Sequence, residues 1–280
     1  MFDGYVHGHL TRREFLDRAA RYATAGVSAA AMLEMLRPNF ALANQVAKDD
    51  ARIKAGYQEY DSPLGSGKMR GYLALPAQAG KTGCVVVIHE NRGLSPYVED
   101  VARRLAVVGY VALAPDALYP LGGYPGDEEK AVAMFSKLDM AKTREDLLAA
   151  VPYLMSRPEC RGKVAAVGFC FGGGIANLMA VRFPDLAGAV PYYGAQPKAE
   201  DVAKIRSPIL AHYAGEDPRI NAGIAAYESA LRANGVKCEM HTYPGTLHGF
   251  HNDTTPRYDE AAAKLSWSRS LAFFKQNLKG

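Results

Sequence analysis

Residues 167–174 read VGFCFGGG: an apolar run, KVAAVGF, turns through glycines into a stretch of helical character. A strand, a tight glycine-flanked turn and a helix present one side chain at the tip of a sheet, in the pattern G-x-S-x-G. Here that side chain is the thiol of Cys170. A thiol attacks as its thiolate, of which only a few per cent forms near neutral pH, so it needs a basic partner. An imidazole serving as that partner needs a carboxylate to fix its tautomer and support its positive charge. Both follow Cys170 in the chain: Asp217 at the end of PILAHYAGED, and His248 after KCEMHTYP. Glu216 is the local rival of Asp217, and His89, His212 and His241 compete with His248 as base. His212 and His241 fall inside strand-like runs, whereas His248 lies beyond the last one, which favours it. His251, three residues further on, is expected to line the mouth of the site. The N–H of Phe171, at the start of the helix, is placed to stabilise an oxyanion.

These side chains need a scaffold that brings them together. Seven runs have strand character: MRGYLALP, GCVVVIHE, YVALAPDAL, KVAAVGF, AGAVPYYG, PILAHYAGED and KCEMHTYP. Several are almost continuously apolar, as in central parallel strands covered on both faces. They alternate with helical stretches such as PYVEDVARRLAVVG, TREDLLAAVPYLMS and AGIAAYESALRANG. The alternation predicts an α/β fold, a doubly wound and mostly parallel sheet with helices on both faces. In such a sheet, sites collect at the carboxyl ends of the strands. The residues at those ends are His89, Glu90, Asn91 and Arg92, then Asp116 and Tyr119, then Cys170, Asp217 and His248. The Gly- and Pro-rich piece LYPLGGYPGD, residues 118–127, reads as a lid or pocket loop. A carboxylate beside a thiol disfavours the thiolate and can accept its proton, which gives Glu90 a possible part in the chemistry. A plain ion pair from Glu90 to Arg92 is the alternative.

The chain of 280 residues carries 22% charged and 49% hydrophobic residues, with a formal net charge of +4. That balance points neither to nucleic acid nor to an acidic partner. The four cysteines are far apart and show no zinc-like spacing, so no metal is expected. No apolar run is long enough for a spanning helix, so stable membrane insertion is not expected. Residues 1–43 differ from the rest. Thr11-Arg12-Arg13-Glu14-Phe15-Leu16, a mild alanine-rich segment and Ala41-Leu42-Ala43 together resemble a twin-arginine export signal, which implies the export machinery as a partner and a periplasmic location. Thr11-x-x-Glu14 is equally a capping box, so the same residues can start a docking helix in a chain that stays in the cytoplasm. Residues 44–56 are expected to be a linker and 57–280 a single domain.

The order nucleophile, acid, histidine is the order of the α/β-hydrolase triad. Together with HENRGLSPYVEDVARRLAVVGYVALAPDALY, GFCFGGG, AGEDPRI and YPGTLHGFHND, it makes residues 57–278 resemble the dienelactone hydrolase family. The resemblance implies an α/β-hydrolase fold and a Cys–His–Asp triad matching Cys170, His248 and Asp217. It also implies that Glu90 contacts the resting thiol and takes part in its activation. The oxyanion hole would use the N–H groups of Phe171 and Asn91, and no metal or organic cofactor is implied. Dienelactone hydrolases proper hold their substrate's carboxylate with two arginines. The matching regions here carry Leu121 and Asn252, neither of which replaces a bidentate guanidinium. Arg92 and Arg219 are candidates for a different anion clamp, and Tyr119 and Tyr193 for an apolar wall. The expected function is hydrolysis of a small ester or lactone through a covalent acyl-enzyme. The competing readings are an acyltransferase and a non-catalytic ligand-binding relative. Oligomeric state has no signature in the sequence.

Overall fold

The computed structural model describes residues 4–5, 10–22, 28–35, 38–78 and 80–278. Its sheet has eight strands: β1 (Ile53–Ser62), β2 (Gly67–Pro76), β3 (Thr82–Ile88), β4 (Val111–Pro115), β5 (Cys160–Phe169), β6 (Gly188–Tyr192), β7 (Ile209–Glu216) and β8 (Cys238–Leu247). Their spatial order is β1-β2-β4-β3-β5-β6-β7-β8. The first two pairings, β1 with β2 and β2 with β4, are antiparallel, and every later one is parallel. This is the α/β-hydrolase fold. The helices used below are α1 (Arg12–Ala19), α2 (Ala29–Met35), α3 (Pro96–Val107), α4 (Glu128–Phe135), α5 (Met140–Leu148), α6 (Ala150–Ser156), α7 (Phe171–Arg182), α8 (Ile224–Ala233) and α9 (Glu260–Leu278).

Alternation along the strands builds two cores. Cys84, Val86 and Ile88 of β3 face α6 and α7, sharing one core with Leu154, Ile175 and Met179. Val85 and Val87 face the other way, against Val98, Val101 and Leu105 of α3 and Phe274 and Leu278 of α9. The strands buried on both sides are the ones that read as continuous apolar runs.

Two parts of the expected organisation change. β1 was not among the expected strands, because its KAGYQEYDS is mostly exposed and polar, as suits a charged sheet edge. Residues 44–52 are not a free linker either. Ala43 and Val46 are buried in the second core, Val46 N donates to Asp100 Oδ1 at 3.0 Å, and Arg103 Nε donates to Val46 O at 2.7 Å.

The chain runs from β3 to β4 on one side and then crosses to β5 on the other. Loops leaving β3 and β5 therefore diverge, and the crevice between them is the switch point where such sheets bind ligands. Closing that crevice at its floor depends on two glycines. A Cβ on Gly168 would lie 1.9 Å from Gly172 O, and one on Gly172 would lie 2.3 Å from Ile88 O. The first turn of α7 can thus press against the end of β3 only without side chains there. We expect Gly172→Ala to cost about 2 kcal/mol or more through backbone displacement. Urea unfolding tests this, and a variant within about 0.5 kcal/mol of the parent would contradict it.

Candidate active site

Cys170 caps α7 with φ 56° and ψ −113°, a left-handed backbone that side-chain-bearing residues rarely adopt. Two hydrogen bonds hold the turn: Cys170 N donates to Tyr192 O at 3.0 Å, and Gly173 N donates to Cys170 O at 3.0 Å. Strain of this kind, of order 1–3 kcal/mol, persists where the surroundings enforce it and clusters at functional sites. Asp217, just past β7, caps the one-turn helix Pro218–Asn221. Its Oδ1 accepts from Ile220 N at 3.3 Å, and its Oδ2 lies 2.5 Å from His248 Nδ1. His248 is carried by the turn after β8, is 5% exposed, and packs its ring on Tyr193 at 4.9 Å between centroids. The imidazole and the Cys170 sulfur line the same cavity and interact electrostatically.

Charge completes the arrangement. Burial opposes a charged His248, yet interactions with Cys170 and the hydrogen bond and charge of Asp217 outweigh it, raising the imidazole to about 9. For Asp217, burial pushes upward, and the His248 hydrogen bond and charge win, leaving the carboxyl below its ordinary value. The linkage signs are opposite for the two groups. The raised His248 contributes stability in full below its unfolded value of about 6.5 and loses it as pH climbs through about 9. Asp217 contributes above about 3.9 and loses its part as pH falls below that.

The competing residues have other occupations. Glu216 is exposed, while Asp217 meets the imidazole. His89 accepts from Ala117 N at Nε2 (3.1 Å), so Nδ1 carries the proton and donates to Glu90 O at 2.5 Å. Burial holds its ionisation below the ordinary value. His212 bonds Tyr243 Oη at 2.9 Å and Ser270 Oγ at 3.1 Å, and His241 pairs with Glu239 at 2.6 Å.

A cavity of about 420 Å³ opens over the sulfur, lined by Asn91, Cys170, Phe171, Tyr193, Arg219 and His248. Asn91 at the end of β3 and Phe171 at the start of α7 therefore meet at one opening, as the close glycine contacts require. Tyr193 is fully buried with φ 38°, and Arg219 is exposed at the rim. Glu90 is nearly buried and accepts from Asn252 Nδ2 at 2.9 Å. It lines a second, smaller chamber beside the first.

Five expected pocket residues lie elsewhere, among them Asn252, which bonds Glu90 in the chamber. Tyr119 turns toward the sheet edge, where its hydroxyl donates to Glu59 of β1 at 2.7 Å and Arg70 stacks on its ring at 4.9 Å. Leu121 follows it outward and is 44% exposed, and none of residues 118–127 lines the sulfur's cavity. His251 does not reach the mouth. The turn after His248 drives it inward, where it stacks on Phe169 at 5.2 Å and bonds Tyr97 Oη at 2.6 Å, with burial lowering its pKa to about 3. Arg92 pairs with Glu128 and donates to Asn91 Oδ1 at 2.9 Å, on the chamber side.

Sequence reading missed Arg144, Lys198 and Leu178, which complete the cavity wall, and Arg257, which enters the chamber. Ile175 and Leu178 share a face with Phe171 at helical spacing, a usable signal. Arg144 on α5 is brought in by packing alone.

The family model of the dienelactone hydrolases matches residues 69–278. The chain belongs to the dienelactone hydrolase family. A YqhI-like model matches residues 1–23. A Saccharolobus solfataricus protein named "Putative carboxymethylenebutenolidase" is 33% identical over 255 residues, covering 78% of this chain and 96% of its own. An Escherichia coli protein named "Putative hydrolase fragment YghX" is 54% identical over 114 residues, covering 40% of this chain and 97% of its own. A crystal structure of a Klebsiella pneumoniae protein described as a "Putative Dienelactone Hydrolase" superposes with TM-score 0.70 at 30% identity. It covers 80% of this chain and 99% of that one. As a member of this family the protein is a hydrolase of the ester and lactone class.

The electrostatic account predicts that Cys170→Ser, by removing the sulfur's charge, lowers the His248 midpoint from about 9, and that Asp217→Asn lowers it too. Imidazole NMR titration measures both. A midpoint unmoved in Cys170→Ser would contradict the ion-pair description.

Proposed function

We propose that the protein hydrolyses esters or lactones through Cys170 as nucleophile, with His248 and Asp217 completing a triad and an acyl-enzyme on the sulfur as intermediate. The observation that carries this reading is geometric: His248 Nδ1 lies 2.5 Å from Asp217 Oδ2, and the same imidazole shares a cavity with Cys170 on its strained turn. With the proton on imidazole, the sulfur is the thiolate that attacks the acyl carbon. The N–H groups of Phe171 and Asn91 receive the developing oxyanion. The imidazolium then protonates the leaving alkoxide, and as neutral base it takes a proton from the water that releases the acyl group. Asp217 holds the tautomer throughout. Glu90, nearly buried and held by Asn252, is read as a carboxylate that disfavours the thiolate, so that the ion pair with His248 reaches full strength only when substrate enters. The apolar floor of Ile175, Leu178 and Val181, rimmed by Arg144, Lys198 and Arg219, suits an acyl chain with a polar or anionic end. With Leu121 turned outward and Asn252 bonded to Glu90, the dienelactone carboxylate itself is a poor fit. Arg12-Arg13 resembles the head of a twin-arginine signal, a route that carries folded proteins, and Ala41-Leu42-Ala43 is read here as left uncleaved. The segment between them includes residues 23–27 and 36–37, which lie outside the described residues.

In assays of the full chain, Cys170→Ala should lower kcat/KM for p-nitrophenyl acetate by about a thousandfold or more, with His248→Ala close behind. Asp217→Asn should lose less. Unchanged turnover in Cys170→Ala would overturn the reading.

The pH profile distinguishes the imidazole's two parts. Above about 9 the imidazolium is lost, so kcat/KM for an alkyl ester should fall. For the p-nitrophenyl ester, whose leaving group needs no proton, the alkaline fall should be much shallower. Parallel profiles would remove His248 from leaving-group protonation.

Glu90→Gln should speed alkylation of Cys170 by iodoacetamide, and an equal rate would deny Glu90 its guarding part.

A further inference from the structure

The chamber beside Glu90 is roofed by a part of the chain that the dienelactone hydrolase match leaves out. Its floor is Glu90, Arg92, Asn252 and Arg257, and its roof is Tyr5, Leu33, Pro38 and Phe40. With this roof in place the chamber measures about 50 Å³. That is room for one or two water molecules and not for a ring or an alkyl chain. The cavity that holds the sulfur, at about 420 Å³, falls within the range of small-molecule sites.

The roof is a built structure. Thr11 and Glu14 form the reciprocal capping box at the start of α1. Phe15 and Ala19 of α1 pack with Leu33 of α2 into a small core of their own, with Phe15 2% and Leu33 3% exposed. The segment is pinned to both rims of the chamber. On the α4 side, Arg12 Nε lies 3.1 Å from Glu129 Oε1, and Tyr5 Oη donates to the same oxygen at 3.2 Å. Phe40 sets its ring edge to Tyr124 at 6.2 Å. On the side of the loop after His248, Asn39 N donates to Thr254 O at 2.7 Å, and Gln45 Nε2 donates to Asp253 Oδ2 at 2.6 Å. The buried Arg104 also pairs with Asp253, 2.5 Å away, so the anchor belongs to the ion-pair network of α3.

We infer that the described part of the N-terminal segment, with Tyr5, Leu33, Pro38 and Phe40, is a retained wall of the substrate site, which seals its Glu90 side and confines substrate to the Leu178 side. The inference rests on the reading of Cys170 as nucleophile. Its consequence is selectivity by size: a group that must pass Glu90 is excluded by Phe40 and Leu33, while one that lies along α7 is accepted.

The test uses the full chain carrying Phe40→Ala or Leu33→Ala, assayed on p-nitrophenyl acetate, p-nitrophenyl benzoate and 2-naphthyl acetate. The ratio of kcat/KM for at least one bulky ester to that for p-nitrophenyl acetate should rise about fivefold or more, through KM, a change worth about 1 kcal/mol. Local unfolding of the segment in Leu33→Ala opens the same wall and predicts the same rise. Ratios that stay within about twofold in both variants would overturn the inference. Absence of turnover on every ester in the parent chain would instead overturn the reading of Cys170. Intact mass of the protein from its native host gives a second readout. A full-length mass supports a retained wall, and cleavage after Ala43 overturns it.

Discussion

The close approach of the first turn of α7 to the end of β3 is the constraint on which the site depends. It is made possible by Gly168 and Gly172, whose missing Cβ atoms would otherwise stand about van der Waals overlap deep in the backbone of their neighbours. The approach accompanies a left-handed backbone at Cys170 and brings Phe171 to the same opening as Asn91. Everything downstream presumes it: the position of the sulfur over the cavity, the reach of His248 from the far end of the sheet, and the separation of cavity from chamber.

Once the sulfur is fixed, the charge of the imidazole beside it follows from its neighbours. His248 is buried enough that a lone imidazole would stay neutral, and the sulfur and Asp217 reverse that preference. Asp217 is in turn held by the N–H of Ile220 as well as by the imidazole, so the third member is oriented by a helix start. On the β3 side the order is different. Glu90, Asn252, Arg92 and Glu128 form a largely buried set of polar groups beside the N-terminal segment. Electrostatic interactions strengthen where water is excluded, so the roof bears on the chemistry as well as on access.

Much of this was legible in the sequence, for reasons that differ by element. The central strands announced themselves because burial on both faces leaves continuous apolar runs. The elbow was legible because close backbone approach demands glycine at fixed offsets from the nucleophile. Asp217 and His248 stood where strands end, the place a parallel sheet reserves for sites. β1 was illegible because an edge strand has polar residues on most positions. Tyr119 and Leu121 were misplaced because the direction of a loop is set by what it packs on, here Glu59 and Arg70 of the first two strands. His251 was misplaced because a three-residue spacing in a turn does not say which side chain faces the core. Arg144, Lys198 and Arg257 come from separate segments, and only the folded packing brings them to the site. The N-terminal segment carried two signals at once, and its capping box is visible in the fold.

The central claim is that the Cys170 sulfur carries the acyl group between two halves of one reaction. The most direct measurement is the mass of the full chain quenched during turnover of p-nitrophenyl acetate, followed by peptide mapping. The account predicts one added acetyl group on the peptide that contains Cys170, strengthened in a variant slowed in deacylation and absent in Cys170→Ala. Turnover with no acetyl on that peptide, or with the acetyl on another residue, would contradict it.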